Sequence, residues 1–111
     1  MADAFQNLIQ FKPAVANTLE AANTAVPANT TWKIGSITIC NKGDTADIID
    51  LTHAIAAAGD SDKQYLFSQL PLGARETVTI EKLIILAATD ILRFKSQTGT
   101  SVLNAWGSVA T

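Results

Sequence analysis

The chain has 111 residues, a net charge of −2 and one cysteine, which fits a single domain and excludes an internal disulfide. It is 48% hydrophobic but only 16% charged, against a usual charged share of about 25%, so an oligomer or assembly subunit is favoured over a free monomer. Its eight Lys and Arg are scattered, which leaves no basic patch for nucleic acid and no polybasic or amphipathic segment for a membrane surface.

At this length folding buries about two-thirds of the unfolded chain's surface, enough for a core without metals or disulfides. Asp3 stands early in MADAFQNLIQF, and the segment lacks the charged start and long apolar run of a signal peptide. No stretch approaches the eighteen or so apolar residues that span a bilayer. A protein assembled in the cytoplasm is expected.

Residues 1–26 are the most ambiguous part of a single domain spanning residues 1–111. Phe5, Asn7, Ile9 and Phe11 alternate, which predicts a strand over Phe5–Phe11 followed by a turn at Pro13–Asn17. Thr18–Val26 is Ala-rich and reads as a second strand, with a short helix as the alternative. Pro27 favours extended backbone at Val26. PANT, Pro27–Thr30, is a turn.

Thr31–Asn41, TWKIGSITICN, is dense in β-branched and aromatic residues and predicts the central strand. Trp32 and Ile34 share one face of a regular strand and Ile37 and Ile39 the other. A bulge near Gly35–Ser36 would bring all four to one buried side; otherwise both faces are covered. Cys40, in this strand, is expected to be a small buried hydrophobe.

NKGDT, Asn41–Thr45, reads as a hairpin turn. The return strand Ala46–Ile55 sets Ile49, Leu51 and Ile55 on one face, with His53, and Asp50, Thr52 and Ala54 on the other. Ala56–Lys63 is a surface loop. Gln64–Gln69 predicts a strand, closed by a turn at Leu70–Ala74. Arg75–Glu81 is a half-buried strand with Val78 and Ile80 inward. An apolar run at Leu83–Leu86, a turn at Ala87–Asp90 and an alternating strand at Ile91–Ser96 follow. A Gly-centred hairpin turn at Thr98–Thr100 leads into a final strand, Ser101–Ala110. The predicted fold class is all-β, a single antiparallel β-sandwich of about eight strands, with the jelly roll as one form of it.

Catalytic and metal chemistry is sparse. His53 is the only histidine and is expected to be a hydrogen-bonded core residue. No serine lies in a nucleophile-elbow pattern. Asp44, Asp47 and Asp50, spaced by three, and Asp60 with Asp62 read as solvated, edge-protecting charges. One Cys and one His do not make a zinc site, and the glycines form no phosphate loop. The chain is expected to be no enzyme and to use no cofactor or metal. Trp32, Tyr65 and Trp106 are candidate interface or sugar-stacking residues.

Several short stretches carry a resemblance. VPANTTWKIGSITICNKG from Val26 to Gly43, DKQYLFSQL from Asp62 to Leu70, ILAATDI ending at Ile91 and NAWGSVAT from Asn104 to Thr111 resemble a family of small tailed-bacteriophage virion proteins. Trp32 and Lys82 depart from that pattern. The resemblance implies a non-enzymatic β-sandwich structural protein of the virion, working as a homotrimer. Two places are implied: a decoration or cement protein on the phage major capsid protein, or a tail, collar or fibre-associated part with carbohydrate binding. It implies no catalytic residues.

Overall fold

The computed structural model describes residues 5–59 and 62–110. These form nine strands and two short 3-10 turns. The strands are β1 (Gln6–Phe11), β2 (Glu20–Ala21), β3 (Thr31–Asn41), β4 (Asp47–Ala54), β5 (Tyr65–Leu72), β6 (Thr77–Ile80), β7 (Ile84–Leu86), β8 (Ile91–Ser96) and β9 (Ser101–Ala110). The 3-10 turns, Ile55–Ala57 and Asp62–Gln64, lie in the loop between β4 and β5.

β3 runs through the middle of a five-stranded sheet. β9 pairs with it from Thr31↔Ala110 to Asn41↔Ser101. Along its other edge β6 covers the C-terminal half and β7 the N-terminal half, and β1 adds outside β9. The second sheet has the order β2-β8-β4-β5. Every ladder is antiparallel. With β6 and β7 counted as one interrupted strand, the pairs β1·β9, β2·β8, β3·β6/β7 and β4·β5 are nested. The chain is thus one long hairpin, with its tip at the β4–β5 loop, wound into two sheets. That is a jelly roll, one of the ways a β fold limits its open edges.

The phase break in β3 is a bulge, the first of the two alternatives that the sequence leaves. The register passes from Ile34↔Gly107 to Ser36↔Trp106, so Gly35 is the extra residue and the faces exchange there. Ile34, Ile37 and Ile39 are consequently all fully buried, and Trp32 packs against the same core. Gly107 opposite the bulge is needed for space: a Cβ there would stand 2.0 Å from the Lys33 carbonyl oxygen. From the other sheet Ile49, Leu51, Leu92 and Phe94 close the core. The rings of Phe11 on β1 and Phe94 on β8 meet edge-on across it, 6.2 Å between centroids, a favoured aromatic geometry.

Several expectations are corrected. NKGDT and Thr98–Thr100 are turns, but neither closes a hairpin: β3 and β9 belong to one sheet, β4 and β8 to the other. Turn chemistry reverses the chain without dictating that the flanking strands pair. Of Thr18–Val26 only Glu20–Ala21 joins the ladder; beyond it Ala22 N–H donates to the Leu92 carbonyl (2.7 Å) and Val26 N–H to that of Asp90 (3.3 Å). β5 runs on through Pro71 to Leu72, where a turn was expected, because it is an edge strand and the missing N–H costs no ladder bond. Ile55 starts a 3-10 turn and is exposed instead of facing the core. The apolar run Leu83–Leu86, for which the sequence sets no facing, supplies β7, with Ile84 and Leu86 inward and Leu83 and Ile85 exposed.

Candidate functional site

The three rings singled out in the sequence lie on three different surfaces. Trp32 points inward from β3 and is half-buried against the core. Tyr65 begins β5 beside Thr52 in the second sheet and is 39% exposed. Trp106 points outward from β9, 40% exposed, with Asn7 and Ser36 opposite it on the two neighbouring strands. The three rings share no stacking platform, and Trp106 is the one exposed on the outward face of the five-stranded sheet.

That face, the outside of the five-stranded sheet, has a distinct chemistry. Ladder partners share a face, so the register puts Gln10, Asn104, Thr38 and Thr79 in one outward row beside the Trp106 row. Ile85, Lys33 and Ser108 form another. Lys33 is the only charged residue at an outward ladder position of this sheet among the described residues. Cys40 also faces outward, between Thr77 and Val102, and is half-buried; the fully buried thiol expected from the sequence is corrected by the bulge, which turns Cys40 away from the core.

The carboxylates correct the sequence reading further. Asp44 is exposed and pairs with Arg75, but Asp47 and Asp50 are buried. Asp60 lies outside the described residues, as does the side chain of Asp62. Asp47 Oδ2 accepts hydrogen bonds from the Ser96 hydroxyl and, at 2.5 Å, from the Ser101 hydroxyl. Its Oδ1 accepts from the Ile48 N–H (2.8 Å) and the Thr98 N–H (3.0 Å). Burial alone would raise this carboxyl's pKa, and the four donors, Ser101 first, outweigh burial and hold it below its ordinary value.

Asn41 does the same work for neighbouring loops. Its carboxamide donates to the carbonyls of Thr45 (2.8 Å) and Gly73 (3.0 Å) and accepts from Gly43 N–H (2.9 Å) and the Thr100 hydroxyl (2.7 Å). All four of its hydrogen-bonding positions are filled. Together Asn41 and Asp47 fasten the β3–β4, β5–β6 and β8–β9 corners, where the chain changes sheet.

His53 and Asp90 belong to another group of turns. His53 Nε2 lies 2.9 Å from Asp90 Oδ2, in line with a hydrogen-bonded role. Asp90 also accepts from the Ala56 N–H (2.9 Å) and the Ala87 N–H (3.0 Å). Burial raises the Asp90 pKa, but the Ala56 amide, His53 and the Ala87 amide together lower it below its ordinary value. The group ties the end of β4 to the β7–β8 turn. Among the described residues no cluster of three or more His, Cys, Asp or Glu is placed to hold a metal ion.

The buried roles of Asn41, Asp47 and Asp90 were missed in the sequence. One local signal existed: Asn41 two residues before Gly43 is the pattern of an Asx-turn. Comparison of the chain with protein families, curated proteins and solved structures finds no match in any of the three.

Proposed function

We propose that the chain is a non-enzymatic structural subunit of a tailed-phage particle, acting as a homotrimer that decorates the capsid and binds the major capsid protein. The observation that carries the assembly reading is the outward face of the five-stranded sheet, where Lys33 is the only charged residue at a ladder position among the described residues and Trp106 and Ile85 are exposed. Such a face loses little desolvation energy on contact, because neutral side chains are far cheaper to dehydrate than ions. Attachment at several subunits at once would multiply a weak contact into firm retention. The phage and capsid part rests on the resemblance of Val26–Gly43, Asp62–Leu70, the run ending at Ile91 and Asn104–Thr111.

Mass measurement in solution together with localisation by cryo-microscopy of intact particles tests this. A trimer mass and density for this chain on the head surface are expected. A monomer in solution and heads that lack the chain would overturn it.

A second reading, a tail, collar or fibre-associated part that binds carbohydrate, is favoured by one observation. Trp106 presents its ring between Asn7 and Ser36, an aromatic flanked by neutral hydrogen-bonding groups. Glycan-array binding that Trp106→Ala abolishes in a folded protein supports it, and an array without binding removes it.

A further inference from the structure

On the opposite sheet from the Trp106 face, the protein carries a polar crevice of about 250 Å³. Its walls are Ile48 and Asp50 of β4, Gln69 of β5, Lys95 of β8, Gln97 just beyond β8 and Asn17 from the β1–β2 loop. Asp50 and Lys95 are ladder partners. Asp50 is only 3% exposed, and its Oδ2 lies 3.4 Å from Lys95 Nζ.

The crevice is built around an irregularity. Between Ile49↔Leu70 and Leu51↔Phe67 the strand β5 has two residues opposite Asp50 alone. Gln69, in that bulge, has φ +52°, a left-handed conformation that ordinarily selects glycine. Asp50 Oδ1 accepts its N–H at 2.5 Å and so holds the unusual backbone in place. Asn17, on the facing wall, also has positive φ (+56°) and is anchored by its N–H to the Ser96 carbonyl at 2.8 Å. Asparagine adopts this left-handed conformation readily in turns. The Gln69 bulge and the Asn17 turn bring two carboxamide residues to one crevice.

The polar groups have spare capacity. A carboxylate accepts about four hydrogen bonds and an ammonium donates three, while Asp50 and Lys95 use one or two each within the described residues. The side-chain amides of Asn17, Gln69 and Gln97 make no hydrogen bond to described residues. Charge on the walls cancels, since Asp50 and Lys95 neutralise each other, so the crevice exerts no net pull on an ion. Its volume is that of about eight waters at roughly 30 Å³ each. Ile48 supplies one apolar patch.

We propose that this crevice binds a small neutral polyhydroxy ligand, a single sugar ring, through Asp50, Lys95 and the carboxamides of Asn17, Gln69 and Gln97. Hydroxyl groups donate and accept at once, so adjacent hydroxyls bridge the carboxylate and the ammonium without separating them. The carboxamides take the remaining hydroxyls, and Ile48 meets the C–H side of the ring. The site is independent of the assembly reading and of Trp106.

The test is a ¹⁵N NMR titration of the full chain with glucose, galactose and N-acetylglucosamine at concentrations on the order of tens of millimolar, with serine and sodium sulfate as zwitterionic and ionic probes. Saturable shifts are expected at Asn17, Gln69 and Gln97 with at least one sugar, unchanged in Trp106→Ala. Gln97→Ala, at an exposed position, should weaken binding about tenfold, as should Asp50→Asn, which keeps an oxygen for the Gln69 N–H. Absence of saturable shifts with all three sugars overturns the proposal. So do equal shifts with serine or sulfate, or sugar binding that Gln97→Ala leaves unchanged.

Discussion

Gly107 lies so close beneath the Lys33 carbonyl that a methyl group on its α-carbon would stand 2.0 Å from the oxygen and 2.8 Å from the Ile34 α-carbon. Both neighbours are backbone of the central strand at its bulge, and neither can swing aside as a side chain would.

Gly107→Ala is therefore expected to cost about 3 kcal/mol or more, a large share of a typical stability of roughly 5–15 kcal/mol. Urea unfolding should show a lower midpoint. Gly59→Ala is the control: a Cβ at Gly59 meets nothing within 4 Å, so its change should stay within about 0.5 kcal/mol. A Gly107→Ala loss below about 1 kcal/mol would show that the two strands can separate locally.

Acid should weaken the fold through Asp47 and Asp90. Both carboxyls have folded-state pKa values below the ordinary 3.8. The unfolded chain therefore takes up these two protons at higher pH than the folded one. Their stabilisation is fully present above the unfolded value and is lost as pH falls through 3.8 towards the folded values. Asp47→Asn should lower stability near neutrality by about 1–3 kcal/mol, because its NH₂ group faces converging donors. Its melting temperature should also fall less steeply in acid than that of the native chain. A parallel acid decline in both proteins would exclude Asp47 as a contributor.

Asp90→Ala leaves the Ala56 and Ala87 amides without the acceptor that holds them at 2.9 and 3.0 Å. Hydrogen exchange at these two amides should accelerate about tenfold or more, as a lost charge-assisted hydrogen bond implies. Amides in the β3–β9 ladder serve as the internal reference. Equal acceleration throughout would mean global destabilisation instead of local release.

Ile39 and Thr38 are adjacent in β3 but face opposite ways, Ile39 fully buried and Thr38 half-exposed. Ile39→Asp puts an unpaired charge into the core at a cost of several kcal/mol and should abolish the cooperative thermal transition seen by circular dichroism. Thr38→Asp should change stability by no more than about 1 kcal/mol. Similar losses at the two positions would overturn the register assigned after the Gly35 bulge.

Local pattern carried much of the fold. The β-branched run at Ile37–Ile39, the phase break at Gly35 and the alternation of Leu92 and Phe94 against Arg93 and Lys95 are short-range signals that tertiary structure reinforces. Pairing was less legible. Asn41–Thr45 and Thr98–Thr100 have hairpin chemistry, yet the strands they join lie in opposite sheets. What separates a hairpin from a corner here is Asn41 reaching Gly73 and Asp47 reaching Ser101, contacts between residues far apart in sequence. The same distance hid the crevice. Asp50 reads as one of three evenly spaced surface acids, and only the β5 bulge and the arrival of Lys95 and Asn17 give it a setting.

The nested pairing also sets an order of events during synthesis. β3 meets its first sheet neighbours only when β6 and β7 have been made and its other neighbour, β9, later still, and β1 also waits for β9. Only β4 and β5 pair across a single connecting loop, so that ladder is the natural first contact, since distant pairings must first overcome the entropy of closing a long loop. The strand at the centre of the finished sandwich therefore keeps one edge open after β6 and β7 have been made to cover the other. The edge of Ile34, Ile37 and Ile39 that faces β9 stays unpaired until β9 has been made.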